Sequence, residues 1–470
     1  MKSKITRTAL FMTVALATGL MLAQEPAGGG EYKFNEEKLS CVTPEQRTQM
    51  MMDIRDGISL LKSQNRLAYD GQRRGSHMYF SWPIRKADGV EYNDVWAISG
   101  YLDHNPNYPN QLTDYNCGTT TYDTESGYNH MGVDIYTWPF PWLMMDNNEV
   151  EIIAAAPGQI LYKYDGLFDR SCSFNNNFWN TVYIQHADGS VVAYGHMKNG
   201  SVTTKSIGEM VEEGEYLGIV GSSGNSTGPH LHFEAYTEIE WNGEGQDVLL
   251  DPYSGPCNSL NDDTWWQNQK PYRNPNINAA LSHNAPPVFP ACPNQETTNA
   301  SNQFDPGQML YLSVFLRDQE AGTSLNLKLI KPDGTFMYNW NYDLTDHYSS
   351  SWWYWNFNNL TIEGEWKWQV TYLGQTVTHP FNIGFLGVGD ENFNATAVYP
   401  NPFKDFITIS SNQTVQKATV VDMLGKQVKT IANTPEGIRE INLEKLSNGV
   451  YFLILESDLG HRKTIRLIKE

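Results

Sequence analysis

The chain has 470 residues, long enough for about three domains, and 13% of them are aromatic while 18% are charged. This balance can fill hydrophobic cores and excludes a disordered polyanion. Lysine and arginine total 33 against 53 acidic residues, a formal charge of −20, which argues against nucleic acid as a partner and predicts a soluble protein.

The first 23 residues predict a secretory signal peptide. Lys2, Lys4 and Arg7 precede the apolar run ALFMTVALATGLMLA, which ends in small residues near Ala23. This order of basic, apolar and small residues is typical of export signals. The run is short for a membrane span and no later stretch of about 18 residues is continuously apolar, so we expect no transmembrane segment.

An amphipathic helix is predicted at TPEQRTQMMMDIRDGISLLKSQ. Thr43 and Gln46 have the spacing of a capping box, and Pro44 suits the first helical position. We interpret the helix as a packing element of an N-terminal region, residues 24–95, that could serve as a pro-segment. Four apolar residues recur with helical spacing: Met51, Ile54, Ile58 and Leu61.

From residue 96 to 255 the pattern changes to short strands broken by glycine, asparagine, aspartate and proline. VEIIAAAPGQILYKY predicts two strands about a turn at Pro157 and Gly158. TVYIQHADGSVVAYGHM predicts a hairpin that turns at Asp188 and Gly189. This region is therefore expected to be an all-β domain.

The rest of the chain also predicts β-structure. Residues 256–295, rich in proline and asparagine, are expected to be a linker or a loop stapled by disulfides. Residues 296–386 and 395–470 each return to alternating strands, which predicts two immunoglobulin-like β-sandwich domains. The expected fold class is all-β: an antiparallel β-sheet domain with a short N-terminal helix, followed by two sandwiches.

Five cysteines are widely spaced and form no C-x-x-C pair. In an exported chain this pattern predicts one or two disulfides and a leftover thiol, not a structural zinc knuckle. Spacing does not decide the connectivity. Our preferred pairing is Cys117 with Cys172 and Cys257 with Cys292, which leaves Cys41 unpaired.

The histidines are the candidates for metal chemistry. No H-E-x-x-H is present, so a helical zincin site is excluded. His130 in NHMGVDI, His196 in YGHM, and the pair in HLHFE occur in that order. Read as a strand, HLHFE places His230 and His232 on one face and its apolar residues on the other.

HMGVD offers a second half of a metal site. His130 and Asp134 are an even number of residues apart and share a face if the segment is extended, while Gly132 between them allows a close approach. Two imidazoles and one carboxylate would leave zinc with one net positive charge and an open position for water. A further imidazole near that water could serve as the base.

H-x-G-x-D at residues 130–134, Tyr194-x-His196 and SSGNSTGPHLHFE, in this order, resemble the lysostaphin-type (LytM-like) zinc metallopeptidases. That family cleaves peptide bonds in bacterial cell-wall peptidoglycan, and the resemblance spans residues 125–255. It implies one zinc ion and five functional residues: His130, Asp134 and His232 as metal ligands, and His196 and His230 as catalytic histidines.

The resemblance implies a secreted zinc metalloendopeptidase, a hydrolase that acts on peptidoglycan peptides through water activated by the metal. One alternative is a zinc endopeptidase that acts on glycine-rich or other extracellular proteins. Another is a non-catalytic cell-envelope binding protein, which a missing ligand would mark. Asn180 and Tyr194 are further candidates for substrate contact, whereas His186 is predicted to be a hairpin residue.

The C-terminal segment carries a second resemblance. VYPNPFKDFITIS, VVDMLGKQV, LSNGVYFLIL and the basic end RKTIRLIKE resemble the sorting domain recognised by type IX secretion in Bacteroidetes. The resemblance covers residues 395–470. It implies the type IX machinery as a partner, export through the periplasm and outer membrane, and a secreted or cell-surface location. The alternative is a plain accessory β-sandwich.

Overall fold

The computed structural model divides into two compact units. The first comprises Met1–Asn302, Gly307–Leu360 and Glu365–Phe381, and the second comprises Gln303–Pro306, Thr361–Gly364 and Asn382–Glu470. The structure describes residues 24–34, 42–69, 76–173, 176–240, 246–384, 396–411, 414–423, 426–432, 437–457 and 462–470.

Strands dominate the described residues, which include two helices. The helices are α1 (Pro44–Ser63) and α2 (Pro141–Asp146). The first thirteen strands are β1 (Gly28–Glu31), β2 (Ile84–Lys86), β3 (Trp96–Gly100), β4 (Val133–Thr137), β5 (Val150–Ile153), β6 (Gly158–Tyr164), β7 (Thr181–His186), β8 (Val191–Gly195), β9 (Met210–Val211), β10 (Tyr216–Ile219), β11 (His230–Glu238), β12 (Val248–Leu250) and β13 (Asn276–His283).

The remaining strands follow residue 302. They are β14 (Gln303–Phe304), β15 (Leu310–Gln319), β16 (Thr323–Ile330), β17 (Phe336–Leu344), β18 (Tyr348–Phe357), β19 (Gly364–Tyr372), β20 (Gln375–Ile383), β21 (Ala397–Tyr399), β22 (Phe406–Ser410), β23 (Val415–Asp422), β24 (Gln427–Ala432), β25 (Glu440–Asn442), β26 (Gly449–Ser457) and β27 (Arg462–Lys469).

The first unit is built on an eight-stranded antiparallel sheet. Its order is β3-β4-β11-β8-β7-β6-β9, with β12 also paired to β11. β11 is hydrogen-bonded on both sides, and its alternate residues Leu231, Phe233 and Ala235 point into the main hydrophobic core. The predicted hairpin with its turn at Asp188 and Gly189 is confirmed, since that turn joins β7 to β8.

Helix α1 covers the face of this sheet that points away from the main hydrophobic core. The predicted capping box is confirmed: the Gln46 amide donates to Thr43 Oγ1 at 3.2 Å, and the Thr43 amide donates to Gln46 Oε1 at 2.8 Å. The helix lies so close that a Cβ at Gly57 would be 2.2 Å from the Leu161 carbonyl oxygen. Its buried residues Met50, Met51, Ile54, Ile58 and Leu61 pack against Leu161, Tyr183, Val191, Ala193 and Tyr236.

Two disulfides join segments that are far apart in sequence. Cys117 pairs with Cys257 across 140 residues, and Cys172 pairs with Cys292 across 120 residues. The expected pairs, Cys117 with Cys172 and Cys257 with Cys292, are therefore wrong. The fold brings cysteines together that are far apart in sequence, whereas the expected pairs joined cysteines closer in sequence. Closing loops of this length restricts the unfolded chain by about 4–5 kcal/mol each. Cys41 lies outside the described residues.

The segment expected to be a linker contains β13, which belongs to a sheet in the order β1-β18-β15-β13. The strands β20-β19-β16-β17 pack against that sheet, with the rings of Trp340, Trp355 and Trp368 within 5.9 Å of one another. This arrangement is a two-sheet sandwich, while its immunoglobulin-like topology stays a prediction. Phe315 of β15 and Trp138 belong to one hydrophobic cluster, so the sandwich shares the core of the first unit.

The second unit contains a smaller pair of sheets. One has the order β21-β22-β25 and the other β24-β23-β26-β27. Ile407 and Ile441 of the first sheet share a hydrophobic cluster with Leu453 and Leu467 of the second. The cluster between the two sheets matches the small sandwich predicted for this segment.

The docking of α1 predicts different effects for two adjacent leucines. Leu61→Ala should lower the free energy of unfolding by about 2–5 kcal/mol, because the buried side chain leaves a cavity. Leu60 is 46% exposed, so Leu60→Ala should change it by less than about 0.5 kcal/mol. Denaturant unfolding of both variants measures the difference, and equal effects would contradict this docking.

Candidate metal centre

Two paired strands bring the predicted metal ligands together. β4 and β11 are antiparallel, with Asp134 directly opposite His232, so the two side chains leave the same face of the sheet. His130 lies three residues before β4. The candidate ligand atoms of these three buried residues all lie within 4.8 Å of one another. Motifs that are about a hundred residues apart in sequence therefore meet in one cluster.

Hydrogen bonds orient both imidazoles of this cluster. Nδ1 of His130 donates to the Tyr101 carbonyl at 2.7 Å, which can only accept, so Nε2 faces Asp134 Oδ2 at 3.1 Å. The His232 ring faces Asp134 with Nδ1, whereas the His130 ring faces it with Nε2. Nδ1 of His232 is 2.8 Å from Asp134 Oδ1, and its Nε2 is 2.9 Å from Glu234 Oε2. One nitrogen of each ring thus faces the Asp134 carboxylate.

This donor set fits one zinc ion. Two imidazole nitrogens and a carboxylate oxygen are ligands that zinc prefers, and three protein ligands leave a fourth position open. The far nitrogen of each ring is held by a carbonyl or a carboxylate, as is usual for histidines that bind metal. The cluster therefore matches a catalytic zinc centre better than a closed structural one.

Asp134 carries the negative charge of the cluster. Burial by itself would raise the pKa of this carboxyl group, but the neighbouring His130 and His230 hold the pKa well below its usual range. The Tyr122 hydroxyl also donates to Asp134 Oδ2 at 3.1 Å. An ionised carboxylate in this buried place supplies the charge that a divalent cation needs.

Gly132 lies against the ring of His232. A Cβ at this position would be 2.6 Å from Cε1 and 2.8 Å from Nε2 of His232. Only glycine therefore leaves room for the ring. The close approach predicted from the H-x-G-x-D motif is confirmed.

The two predicted catalytic histidines lie beside the cluster. Nε2 of His230 is 3.7 Å from Asp134 Oδ1, while its Nδ1 donates to the Gly228 carbonyl at 2.9 Å. His196 follows β8, and its Nδ1 donates to the Ser223 carbonyl at 2.6 Å. The two ring centroids are 4.4 Å apart. Since each carbonyl accepts from Nδ1, Nε2 of each ring is the nitrogen available to accept a proton.

The backbone of His196 has an unusual conformation. Its φ is 60°, in the left-handed region that costs a non-glycine residue about 1–3 kcal/mol. Trp179 packs edge-on against the ring, with the centroids 4.9 Å apart. Local strain of this kind is typical of functional positions.

Two charged residues of this site were not predicted. Glu234 follows His232 on the same face of β11 and contacts both His232 and Arg47 of α1. Burial alone would raise the pKa of Glu234, but Arg47 and His232 lower it to about 2. The period-two spacing of HLHFE could have indicated Glu234. No pattern in the sequence of α1 singles out Arg47.

Aromatic rings enclose the histidines. Phe34, just after β1, stacks on Tyr136 with centroids 4.3 Å apart and meets His230 edge-on at 5.8 Å. Trp179 lies against His232 at 5.6 Å. The five predicted site residues are at most 4% exposed. Residues N-terminal to the predicted peptidase domain therefore help to enclose the site.

The side chains of three other residues that were considered, Asn180, Tyr194 and His186, form hydrogen bonds with the main chain. Asn180 is buried and bonds to main-chain groups of neighbouring loops, and the buried Tyr194 hydroxyl accepts from the Ala155 amide at 2.9 Å. Both side chains are as buried as the site histidines, and their contact with substrate stays a prediction. His186 ends β7 at the predicted hairpin, and its Nδ1 donates to the Pro157 carbonyl at 2.8 Å.

The antiparallel sheet carries two histidines and a carboxylate at one buried centre, with two more histidines beside it. This arrangement is the one expected of a zinc metallopeptidase. Residues 129–248 match peptidase family M23, and residues 397–470 match the secretion system C-terminal sorting domain. The chain thus carries a lysostaphin-type metallopeptidase domain of family M23, which is a hydrolase, and a type IX sorting domain. Both predicted resemblances are confirmed.

Similar proteins match over short stretches. The peptidoglycan DD-endopeptidase ShyC of Vibrio cholerae is 40% identical over 70 residues, 15% of this chain and 15% of that protein. The DD-carboxypeptidase/endopeptidase Mpg of Neisseria meningitidis is 47% identical over 58 residues, 12% of this chain and 13% of that protein. The solved catalytic domain of lysostaphin from Staphylococcus simulans is 22% identical with a TM-score of 0.20, covering 33% of this chain and 85% of that domain.

The sorting domain indicates export by type IX secretion to the cell surface or beyond, as predicted. Within the part of the chain that the structure describes, no helix combines the length and apolarity that crossing a membrane requires. The predicted signal peptide, residues 1–23, lies outside that part.

The cluster predicts one bound zinc per chain. His232→Ala or Asp134→Ala should lose most of it, because each removes one of three ligands. His104→Ala is the control, since His104 forms another buried pair, 2.8 Å from Asp251, outside the cluster. Elemental analysis after zinc loading and gel filtration measures the content. Full zinc in both ligand variants, or equal loss in the control, would contradict the assignment.

Proposed function

We propose that the chain is a secreted zinc metalloendopeptidase that hydrolyses peptide bonds of bacterial peptidoglycan. The supporting observation is that two imidazoles and one buried carboxylate form a cluster of zinc-type donors, with two further imidazoles beside it. In this proposal His130, Asp134 and His232 hold the metal. His196 and His230 are the catalytic residues.

When bound, zinc supplies a Lewis acid that polarises the scissile carbonyl and lowers the pKa of water. The chain's own part is proton transfer. With the Nδ1 protons of His196 and His230 held by main-chain carbonyls, each neutral ring offers Nε2 as a base. Once protonated, the same nitrogen can hydrogen-bond an oxyanion or donate its proton to the leaving amine. Two adjacent imidazoles can thus divide these tasks.

The substrate class rests on similarity and on export. One relative is named a peptidoglycan DD-endopeptidase and another a DD-carboxypeptidase/endopeptidase. A chain that has been exported across the outer membrane has access only to peptidoglycan that no outer membrane covers. We therefore expect its substrate to be such exposed cell walls. A complete set of five residues also disfavours a non-catalytic binding protein, which would be expected to lack a ligand.

Replacing a proposed catalyst should separate turnover from metal binding. His230→Ala should keep zinc but lose about 10²–10⁴-fold in the rate of wall hydrolysis, because it removes a proton-transfer group and leaves all three ligands in place. The measurement is the release of new amino groups from purified walls by the chain from residue 24 onward. His186→Ala is the control. It replaces a buried histidine at the turn of the β7–β8 hairpin, whereas His196 lies at the open end, and it should leave the rate of wall hydrolysis unchanged.

The outcomes also separate the alternatives. Undiminished wall hydrolysis by both His230→Ala and Asp134→Ala would contradict the mechanism. Full zinc with cleavage of extracellular proteins, but not of walls, would replace the substrate class. Full zinc with no cleavage of either kind of substrate would favour an envelope-binding protein.

A further inference from the structure

The first turn of α1 lies on the face of the central sheet that carries His230 and His232. Arg47, in that turn, reaches Glu234 of β11, a residue 187 positions away in sequence. The Glu234 side chain is fully buried, and that of Arg47 is 18% exposed. A helix outside the segment that matches the peptidase family therefore contributes a charged side chain to the centre.

Glu234 is held by donors on both oxygens. Nη1 of Arg47 and the Tyr236 hydroxyl donate to Oε1. Nη2 of Arg47 donates to Oε2 at 3.2 Å, and Nε2 of His232 donates to the same oxygen at 2.9 Å. The planar guanidinium fork fixes the carboxylate in orientation as well as in place. Oε2 is thereby kept against the His232 ring.

We propose that Arg47 is a positioning residue for the zinc centre. Arg47 orients Glu234, Glu234 accepts the Nε2 proton of His232, and Nδ1 of His232 is left facing Asp134 and the metal. Carboxylates behind ligand histidines set the tautomer and the ring orientation. This inference rests on the proposed function, since it concerns the same zinc centre.

Removing one partner of the buried Arg47–Glu234 ion pair is more unfavourable than the loss of a single contact. Without Arg47, the Glu234 carboxylate would keep its burial but lose its charged partner, which is strongly unfavourable. The carboxylate would then turn toward water or toward other donors, and its bond to His232 would weaken. The effect on the zinc centre would therefore pass through Glu234, although Arg47 itself touches no ligand.

Docking of α1 is the competing explanation, and Arg55 separates the two. Arg55 lies two turns further along α1 and pairs with Glu240 at 3.1 Å and with Asp247 at 2.7 Å. These partners lie beyond the end of β11, away from the histidines. If Arg47 merely anchors the helix, replacing Arg47 or Arg55 should have the same kind of effect. If Arg47 positions His232, only its replacement should change zinc binding.

The inference also bears on residues 24–95, which could serve as a pro-segment. An enzyme that relies on Arg47 has to keep α1 after any processing. Removal of the whole region would then weaken the zinc centre instead of releasing an active enzyme.

The test measures zinc affinity of the chain from residue 24 onward by competition with a chromophoric chelator. Arg47→Ala should weaken zinc binding by up to about 10–100-fold, the usual effect of losing the partner directly behind a ligand, because Arg47 holds that partner, Glu234. Arg47→Lys should lose less, because an ammonium cannot hold both carboxylate oxygens in the same fork. Arg55→Ala should bind zinc as the wild type does. The visible spectrum of the cobalt-substituted protein should change for Arg47→Ala and not for Arg55→Ala.

Wild-type zinc affinity and an unchanged cobalt spectrum in Arg47→Ala would overturn the inference, even if that variant were less stable. If Arg47→Ala does not fold, Arg47→Lys decides: weaker zinc binding supports the inference and unchanged binding overturns it. The proposed function is tested by a separate measurement, the hydrolysis of purified walls by the zinc-loaded wild type, and it fails if no wall is cleaved. That result would not alter the affinities, which are measured without turnover.

Discussion

The site depends on one strand, β11, that is hydrogen-bonded along both edges. A slip by one residue would break the pairing with β4 and β8 and would turn the histidines into the hydrophobic core. The alternation along this strand places Leu231 and Phe233 in that core and directs His230, His232 and Glu234 to the opposite face. In our account these three residues transfer protons, bind zinc and hold the ligand ring, respectively.

Burial of this face explains much of what surrounds it. Charges that are removed from water need partners. The two carboxylates of the site share the His232 ring and differ in their other partners: Asp134 faces further imidazoles and, in the proposed enzyme, zinc, whereas Glu234 faces Arg47. The partner of Glu234 comes from α1, which packs over the same face through apolar side chains. The N-terminal helix is thus part of the site's charge balance as well as of its packing.

The features that could be predicted are those with local spacing. Alternation predicted the strands and the hairpin, a four-residue pattern predicted the cap at Thr43, and three short motifs in a familiar order indicated the metal cluster. Arg47 escaped notice because an arginine in a helix shows no sign of its partner until the helix is docked. The pairing of Cys117 was wrong for the same reason, since Cys257 becomes its neighbour only through the tertiary fold.

Anomalous X-ray diffraction at the zinc edge, from crystals of the zinc-loaded chain, tests the central claim most directly. The account predicts one anomalous peak, bonded at about 2.0–2.2 Å to His130 Nε2, Asp134 and His232 Nδ1, with His232 Nε2 still on Glu234. A peak at another place, or one bonded to Nε2 of His232 with Glu234 displaced, would contradict it.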